Sequence, residues 1–287
     1  MPELPEVESV RQDLLACVLH QKIKEITITW PKLVKKMTVE EFSQKLLGQK
    51  INDIQRIGKL LIFEINKDLF LLIHLKMTGQ LIFKDKTCVI GGGHTQEEGD
   101  LQVPHRHTRA TITFLDGSAL YFNDMRKFGY FSLVTKQELA EIYQKYGLEP
   151  GTATWQWADF RELLKNHSSA KLKAFLLNQK YISGLGNIYA DEACFCAALK
   201  PQRVLKTLKA KERQVLFDCI AQVIGEAVVA RGTTFRDYRD GRGQRGNYAQ
   251  RLKVFQRQGE KCVRCGEIIV KKKFVGRGTH FCPNCQK

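Results

Sequence analysis

LLIFEINKDLFLLIHLKMTGQLIFK (60–84) is cut into three apolar runs by short polar breaks. The runs LLIFEIN (60–66), LFLLIHL (69–75) and QLIFK (80–84) are rich in branched and aromatic side chains and too short for globular helices, so they read as strands. Asn66 to Asp68 and Thr78-Gly79 supply turn chemistry between them. The same signal recurs outward in KIKEITITW (22–30), RATITFL (109–115) and YFSLV (130–134), with another turn at Asp116-Gly117. Strands joined by such short turns predict an antiparallel β-sandwich or barrel. GGGHTQEEGD (91–100) reads as a flexible excursion between two strands.

The flanks are helical. PEVESVRQDLLACVL (5–19) sets Val7, Val10, Leu14 and Val18 at helical spacing, which predicts an amphipathic helix that holds the amino terminus in place. After a helical stretch near 136–146, YGLEPGTAT (146–154) reads as an interdomain linker. WADFRELLKN (157–166), AKLKAFLLNQ (170–179) and Lys209 to Arg231 follow as helices, the last with Leu216, Ile220, Val223 and Ala227 on one stripe before Gly232 stops it. An Arg/Gly-rich loop, RDYRDGRGQRGNY (236–248), leads to a terminal module. The fold class is α+β. The expected boundaries are a β-sandwich domain with its leading helix over 1–134, a linker over 135–153, a helical domain over 154–250 and a metal module over 251–287.

Charge is uneven. The chain carries +16, and residues 200–287 hold 21 basic and 7 acidic side chains, so +14 of it lies in that last third. Such asymmetry points to a polyanionic partner, nucleic acid ahead of an anionic membrane. No run approaches the roughly 18 apolar residues that span a bilayer, and the amino terminus lacks a basic region followed by an apolar stretch. A cytoplasmic protein is expected. Cys17, Cys88, Cys194, Cys196 and Cys219 follow no pairing pattern and, in a reducing compartment, read as small buried hydrophobes.

The other four cysteines are spaced differently. Cys262-x2-Cys265, sixteen residues, then Cys282-x2-Cys285 is the ligand pattern of one structural Zn2+, with IIVKKKFVGRGTHF (268–281) as a hairpin that joins the two turns. A redox dithiol needs only one such pair. So short a module has no core of its own, which makes the metal fold-forming.

MPELPEVE (1–8) raises a question of chemistry. If Met1 is removed, Pro2 carries a free secondary amine. An α-amino group titrates near 7.7–8.0, so on the order of a tenth is unprotonated at pH 7. Such an amine attacking a sugar anomeric carbon gives a cationic iminium, and Glu3 is the adjacent acid that can open the ring. Read alone, Pro-Glu-Leu-Pro is more often just a rigid lead into a helix.

MPELPEVE, IHLKMTG (73–79), DMRKFG (124–129), ISGLGNIYADEACF (182–195) and VGRGTHFCPNCQ (275–286) together resemble the formamidopyrimidine-DNA glycosylase family, in the same order and setting. The resemblance implies a bifunctional base-excision repair enzyme that removes oxidised purines such as 8-oxoguanine and cuts the strand by successive eliminations. It also implies an N-terminal β-sandwich, a helix-two-turns-helix domain and a C-terminal zinc-finger β-hairpin, acting as a monomer on double-stranded DNA with oxidised bases or abasic sites. In a bacterial cell such a protein lies in the cytoplasm, on the nucleoid when bound to DNA.

Residue by residue, the resemblance makes Pro2 the nucleophile and Glu3 the general acid, and places Lys59 beside the lesion or its flanking phosphate; unaided, Lys59 reads as a solvated strand-end lysine. Met77, Arg126 and Phe128 correspond to side chains that fill the gap left by an extruded nucleotide, because a base must leave the stack to be excised. Met77 reads equally as core filling. Gly184, Gly186 and Asn187 open a helix whose free N–H groups suit a phosphate, together with Arg277 from the finger; Gly-x-Gly alone is commonly just a tight turn. Lys173 matches a family lysine that faces the lesion strand. His105 is read as a phosphate contact rather than half of a metal pair with His107, since no third ligand is near in sequence.

Two segments depart from the family pattern. The loop 236–248 is more basic and the excursion 91–100 longer. Leu4 and IHLKMTG favour the purine-directed branch over the endonuclease VIII branch, and retention of Pro2, Glu3 and Lys59 argues against a DNA-binding protein without chemistry.

Overall fold

The structure is a computed structural model that describes residues 2–87, 89–93, 102–233 and 248–287. The chain divides into two compact units, Met1–Gln144 with Arg231–Asn247, and Lys145–Ala230 with Tyr248–Lys287.

The first unit opens with α1 (Leu4–Val18), whose stripe Val7, Val10, Leu14 and Val18 is buried as expected. Then come β1 (Ile23–Ile28), β2 (Val34–Lys35), α2 (Val39–Leu46), β3 (Asp53–Ile57), β4 (Leu60–Asn66), β5 (Leu69–His74), β6 (Gly79–Lys84), β7 (Val89–Gly93), β8 (Thr108–Phe114), β9 (Ala119–Asp124), β10 (Tyr130–Thr135) and α3 (Lys136–Tyr143). Two five-stranded sheets form, in the orders β1-β8-β9-β6-β7 and β2-β10-β5-β4-β3. Pairing is antiparallel except for the two-residue parallel contact of β2 with β10. The two sheets and α1 share one core, in which the Phe122 ring of one sheet meets the Phe131 ring of the other at 5.0 Å. The start of the 91–100 excursion is strand: Gly91, Gly92 and Gly93 pair with β6, and a Cβ on Gly92 would lie 2.4 Å from Val10 Cγ2. Glycine is there because α1 comes that close. Residues 94–100, and Cys88, lie outside the described residues.

The second unit is helical, with α4 (Trp157–Asn166), α5 (Leu172–Leu177), α6 (Asn187–Cys196) and α7 (Ala210–Val229), and ends in the hairpin β11 (Val270–Phe274) and β12 (Arg277–Phe281). Leu216, Ile220, Val223 and Ala227 are buried on α7. Trp155 stacks on Phe217 at 4.8 Å beside Phe160. Almost every residue of α6 is buried, and the Glu192 carboxylate accepts the N–H groups of Lys253, Val254 and Phe255. Burial nonetheless keeps the pKa of Glu192 above its ordinary value. The fold thus has the expected α+β class, with β-sandwich, helices and a terminal hairpin.

Two cysteines depart from the reading as unpaired hydrophobes. Cys196 and Cys219 form a disulfide between α6 and α7, with Cα atoms 5.7 Å apart. They are 23 positions apart in sequence, so only the packing of the two helices brings them together. Cys194 is a free, buried thiol, and the Cys17 thiol donates to the Asp13 carbonyl at 3.2 Å.

Candidate functional site

In the first unit, Pro2 is buried and Glu3 is 2 % exposed, in extended backbone at the N-cap of α1. Glu6, three residues on, accepts the Glu3 N–H at 2.9 Å through one carboxylate oxygen. Its other oxygen accepts the Thr233 N–H at 2.7 Å and hydroxyl at 2.9 Å. Gly232 precedes that contact at φ +80, where an added Cβ would lie 2.7 Å from Glu6 Oε1, so both conformation and space require glycine. Arg231 pairs with Asp13 one side of this clamp. Glu6 and Thr233 were not singled out from sequence; the capping-box spacing of Glu3 and Glu6 was the available signal.

Lys59 follows Gly58 in the β3–β4 turn and is 7 % exposed, so it is not a solvated strand end. Arg56 binds the turn to α1: it donates to the Gly58 carbonyl at 2.9 Å and to Glu8 at 2.9 Å, where Arg11 also pairs at 2.7 Å. Burial acts to raise the Glu8 pKa, but the two guanidinium groups outweigh it and hold the carboxyl below its ordinary value. His74 lies on β5 opposite Leu60, beside Lys59 in the register. Its Nδ1 accepts the Lys76 N–H at 3.0 Å, and burial, with Lys76 and Lys59 adding, drives its pKa down to about 3. A neutral imidazole therefore sits beside Lys59. Nothing in the local sequence set His74 apart from an ordinary strand residue.

Met77 and Phe128 are exposed by 36 % and 51 %, which removes the core-filling alternative for Met77. Arg126 joins them, donating to Met77 Sδ at 3.0 Å and lying 4.7 Å over the Phe128 ring. Asp124 beneath is fully buried and accepts from Thr78 Oγ1, from the Arg126 N–H at 3.1 Å and from the Gly129 N–H at 2.7 Å. One carboxylate thus holds both turns that carry the exposed trio. His105 is half-buried, with Nδ1 accepting the His107 N–H at 3.0 Å and Nε2 3.0 Å from Asn123. Among the described residues neither His105 nor His107 belongs to a cluster fit for a metal.

In the second unit, Asn187 begins α6 after Gly186 and donates to the Gly278 carbonyl at 3.0 Å. Arg277 is exposed at the hairpin tip, behind a turn in which Val275 and Gly276 both take left-handed backbone, φ 46 and φ 72. Lys271, Lys272 and Lys273 line the hairpin, also exposed. Lys173 differs from expectation. It is fully buried, with Nζ 2.6 Å from Asp191 Oδ1, 2.8 Å from Thr279 Oγ1 and 3.3 Å from the Gly278 carbonyl. Its charge is consumed beneath the hairpin rather than offered at a surface. Asp191 also accepts the His280 N–H at 2.9 Å, so one ion pair supports the three central residues of β12, Gly278 to His280.

Cys262, Cys265, Cys282 and Cys285 bring their sulfurs within 4.8 Å of one another, with 3.8 Å between Cys262 and Cys285 and 3.6 Å between Cys265 and Cys282. Tetrahedral zinc with bonds of about 2.3 Å requires sulfur separations of about 3.8 Å. The four thiols fit one structural zinc.

Residues 1–131 match the formamidopyrimidine-DNA glycosylase N-terminal domain, residues 146–239 the formamidopyrimidine-DNA glycosylase H2TH domain, and residues 259–287 the zinc finger found in FPG and IleRS. The chain is 40 % identical to formamidopyrimidine-DNA glycosylase of Heliobacterium modesticaldum over 291 residues, covering all of both chains. The Enterococcus faecalis protein of that name is 39 % identical over 290 residues, covering all of this chain and 98 % of that one. Among solved structures, the Lactococcus lactis Fpg in complex with an abasic-site-containing DNA superposes with a TM-score of 0.87 at 36 % identity, covering 99 % of each chain. The same Lactococcus lactis protein bound to DNA containing N7-benzyl-Fapy-dG gives a TM-score of 0.87 at 35 % identity over the full length of both. The chain belongs to the formamidopyrimidine-DNA glycosylase family.

Proposed function

We propose that this chain is a base-excision repair enzyme that removes oxidised purines, 8-oxoguanine and formamidopyrimidines, from double-stranded DNA and then cuts the strand as a lyase. The observation that carries the reading is the buried Pro2–Glu3 start of α1, held by Glu6 with Lys59 in the same unit. With Met1 removed, the Pro2 nitrogen attacks C1′ of the damaged nucleotide, and the base leaves with the glycosidic electron pair. Glu3 delivers a proton to the ring oxygen as the sugar opens to an iminium. The iminium withdraws electrons, so a proton is lost from C2′ and the 3′ phosphate is eliminated; a second elimination expels the 5′ phosphate, and water releases the amine. Lys59, beside a neutral His74, supplies a fixed cation to the lesion nucleotide or its phosphate.

Met77, Arg126 and Phe128 occupy the gap left in the stack; their shared exposure and mutual contact support this. Asn187, Arg277 and His105 contact phosphates. Lys173 positions the hairpin and makes no DNA contact in this reading. The lesion class rests on the relatives' name and on the Fapy-dG-containing DNA bound by the Lactococcus lactis protein. We assign the catalytic β-sandwich to 1–134, the linker to 135–153, the helix-two-turns-helix domain to 154–250 and the zinc finger to 251–287. The protein acts as a monomer in the cytoplasm; among the described residues no helix is long and apolar enough to cross a membrane. Borohydride trapping on duplexes with 8-oxoguanine, an oxidised pyrimidine or an abasic site tests the reading. A Pro2-linked adduct, formed faster with 8-oxoguanine than with the pyrimidine, is expected; no adduct from correctly processed protein overturns it.

A further inference from the structure

The Cys196–Cys219 bond joins the last residue of α6 to the middle of α7. The carboxyl end of α6 is also where the metal module is fastened. Arg264, between metal ligands Cys262 and Cys265, donates to the Phe195 carbonyl at 2.6 Å and to the Cys196 carbonyl at 3.0 Å, with its guanidinium 4.2 Å over the Phe195 ring. One turn earlier, Glu192 holds Lys253, Val254 and Phe255 at the entry to the module. The crosslink and the zinc knuckle therefore grip the same peptide units.

The two sulfurs differ in access. Cys196 is half-buried and Cys219 buried, and the Gln222 Oε1 lies 3.9 Å from the Cys196 sulfur, an acceptor for the thiol when the bond is open. Cys194, two residues before Cys196, is fully buried and its thiol is pushed up by burial with Asp191 adding, so it stays inert. We propose that Cys196 and Cys219 form a reversible thiol–disulfide exchange site for low-molecular-weight disulfides and thiols, whose oxidised state locks the end of α6 against α7 and so secures the zinc module. The proposal stands apart from the glycosylase reading.

The chemistry balances with a glutathione-type disulfide as the oxidant. The Cys196 thiolate attacks one of its sulfurs, forming a mixed disulfide and releasing one glutathione thiolate. The Cys219 thiolate then attacks Cys196 sulfur, closes the protein bond and releases the second. Two protons pass from the protein thiols to two glutathiones, and two electrons reduce the glutathione disulfide. Excess reduced glutathione reverses both steps.

Zinc-loaded full-length protein is equilibrated in oxidised or in reduced glutathione, then alkylated after acid quench and mapped by mass spectrometry. Linked 196–219 peptides are expected in oxidised glutathione only, with Cys194 and the four metal ligands alkylated in both. The oxidised form should melt about 5 °C or more higher and release zinc to a colorimetric chelator several-fold more slowly. Cys219→Ser and Cys196→Ser should each melt like the reduced protein in both buffers. Individually alkylated Cys196 and Cys219 after oxidised glutathione, a link that reduced glutathione does not open, or a link that moves neither melting nor zinc release overturns the proposal. The two-buffer comparison needs no variant, so a variant that fails to fold does not rescue it.

Discussion

Lys173 and Asp191 form an ion pair with both side chains 0 % exposed, Nζ lying 2.6 Å from Oδ1. Removing one partner of a buried pair strands the other's charge, at a cost of about 3–5 kcal/mol. Lys173→Ala should therefore melt far below the parent protein in calorimetry. Arg277→Ala, at the exposed hairpin tip, should melt within about 0.5 kcal/mol of it. The DNA measurement separates them further: Arg277→Ala should lower the slope of log affinity against log salt by about one. A Lys173→Ala protein with parental stability and a reduced slope would show that Lys173 is a phosphate contact after all.

Glu6 receives the Glu3 N–H at 2.9 Å and both donors of Thr233. Glu6→Gln keeps one acceptor oxygen and turns an N–H toward one of those donors. Hydrogen bonds to a charged acceptor are worth about 1.5–3 kcal/mol, so the rate of borohydride trapping should fall about ten- to a hundredfold. Affinity for duplex containing a non-cleavable abasic analogue should stay within a few-fold. Equal losses in both would reduce Glu6 to a folding element.

The His74 imidazole accepts a proton only near pH 3 in the folded protein, against an ordinary 6.5. The unfolded chain binds that proton at higher pH, so stability is complete above about pH 6.5 and declines as pH falls toward 3. Buried as it is, the group contributes on the order of a few kcal/mol across that window. His74→Asn keeps an acceptor for Lys76 and should flatten this part of the profile in denaturant titrations run from pH 7 to 4.

Val275 is a β-branched residue at φ 46 in a two-residue hairpin turn, where asparagine or glycine is ordinarily favoured. Val275→Asn should raise the stability of the zinc-loaded protein by about 1 kcal/mol. Chelation of the metal should abolish the gain, because without zinc the segment has too little core to fold. Circular dichroism with and without chelator reads both effects.

The legible features of the chain were those whose cause is local. Strands β4, β5 and β6 announce themselves by apolar runs between turn residues, and the zinc site by two covalently fixed Cys-x-x-Cys pairs. Strand β3 was missed because DIQRI buries only Ile54 completely, and β7 because its glycines are there for the approach of Val10. Features set by distant partners were hidden. Lys173 lies eighteen positions before the Asp191 that buries its charge, and Cys196 meets Cys219 only through helix packing. Met77, Arg126 and Phe128 are singled out only by a resemblance of motifs, and what the structure adds is their shared exposure and contact; Asp124, which holds their turns, draws no attention because an aspartate beside a turn is commonplace.

The first unit takes its residues from two separate stretches, Met1–Gln144 and Arg231–Asn247, and the second of these brings Thr233 to Glu6. A truncation that ends at the linker would therefore deliver an unfinished module, in which the Glu6 carboxylate that holds the Glu3 amide has lost both Thr233 donors. Shuffling such a gene by whole domains would break its chemistry at a junction far from any break in sequence; the amino-terminal half can be exchanged only together with the short return segment that completes it.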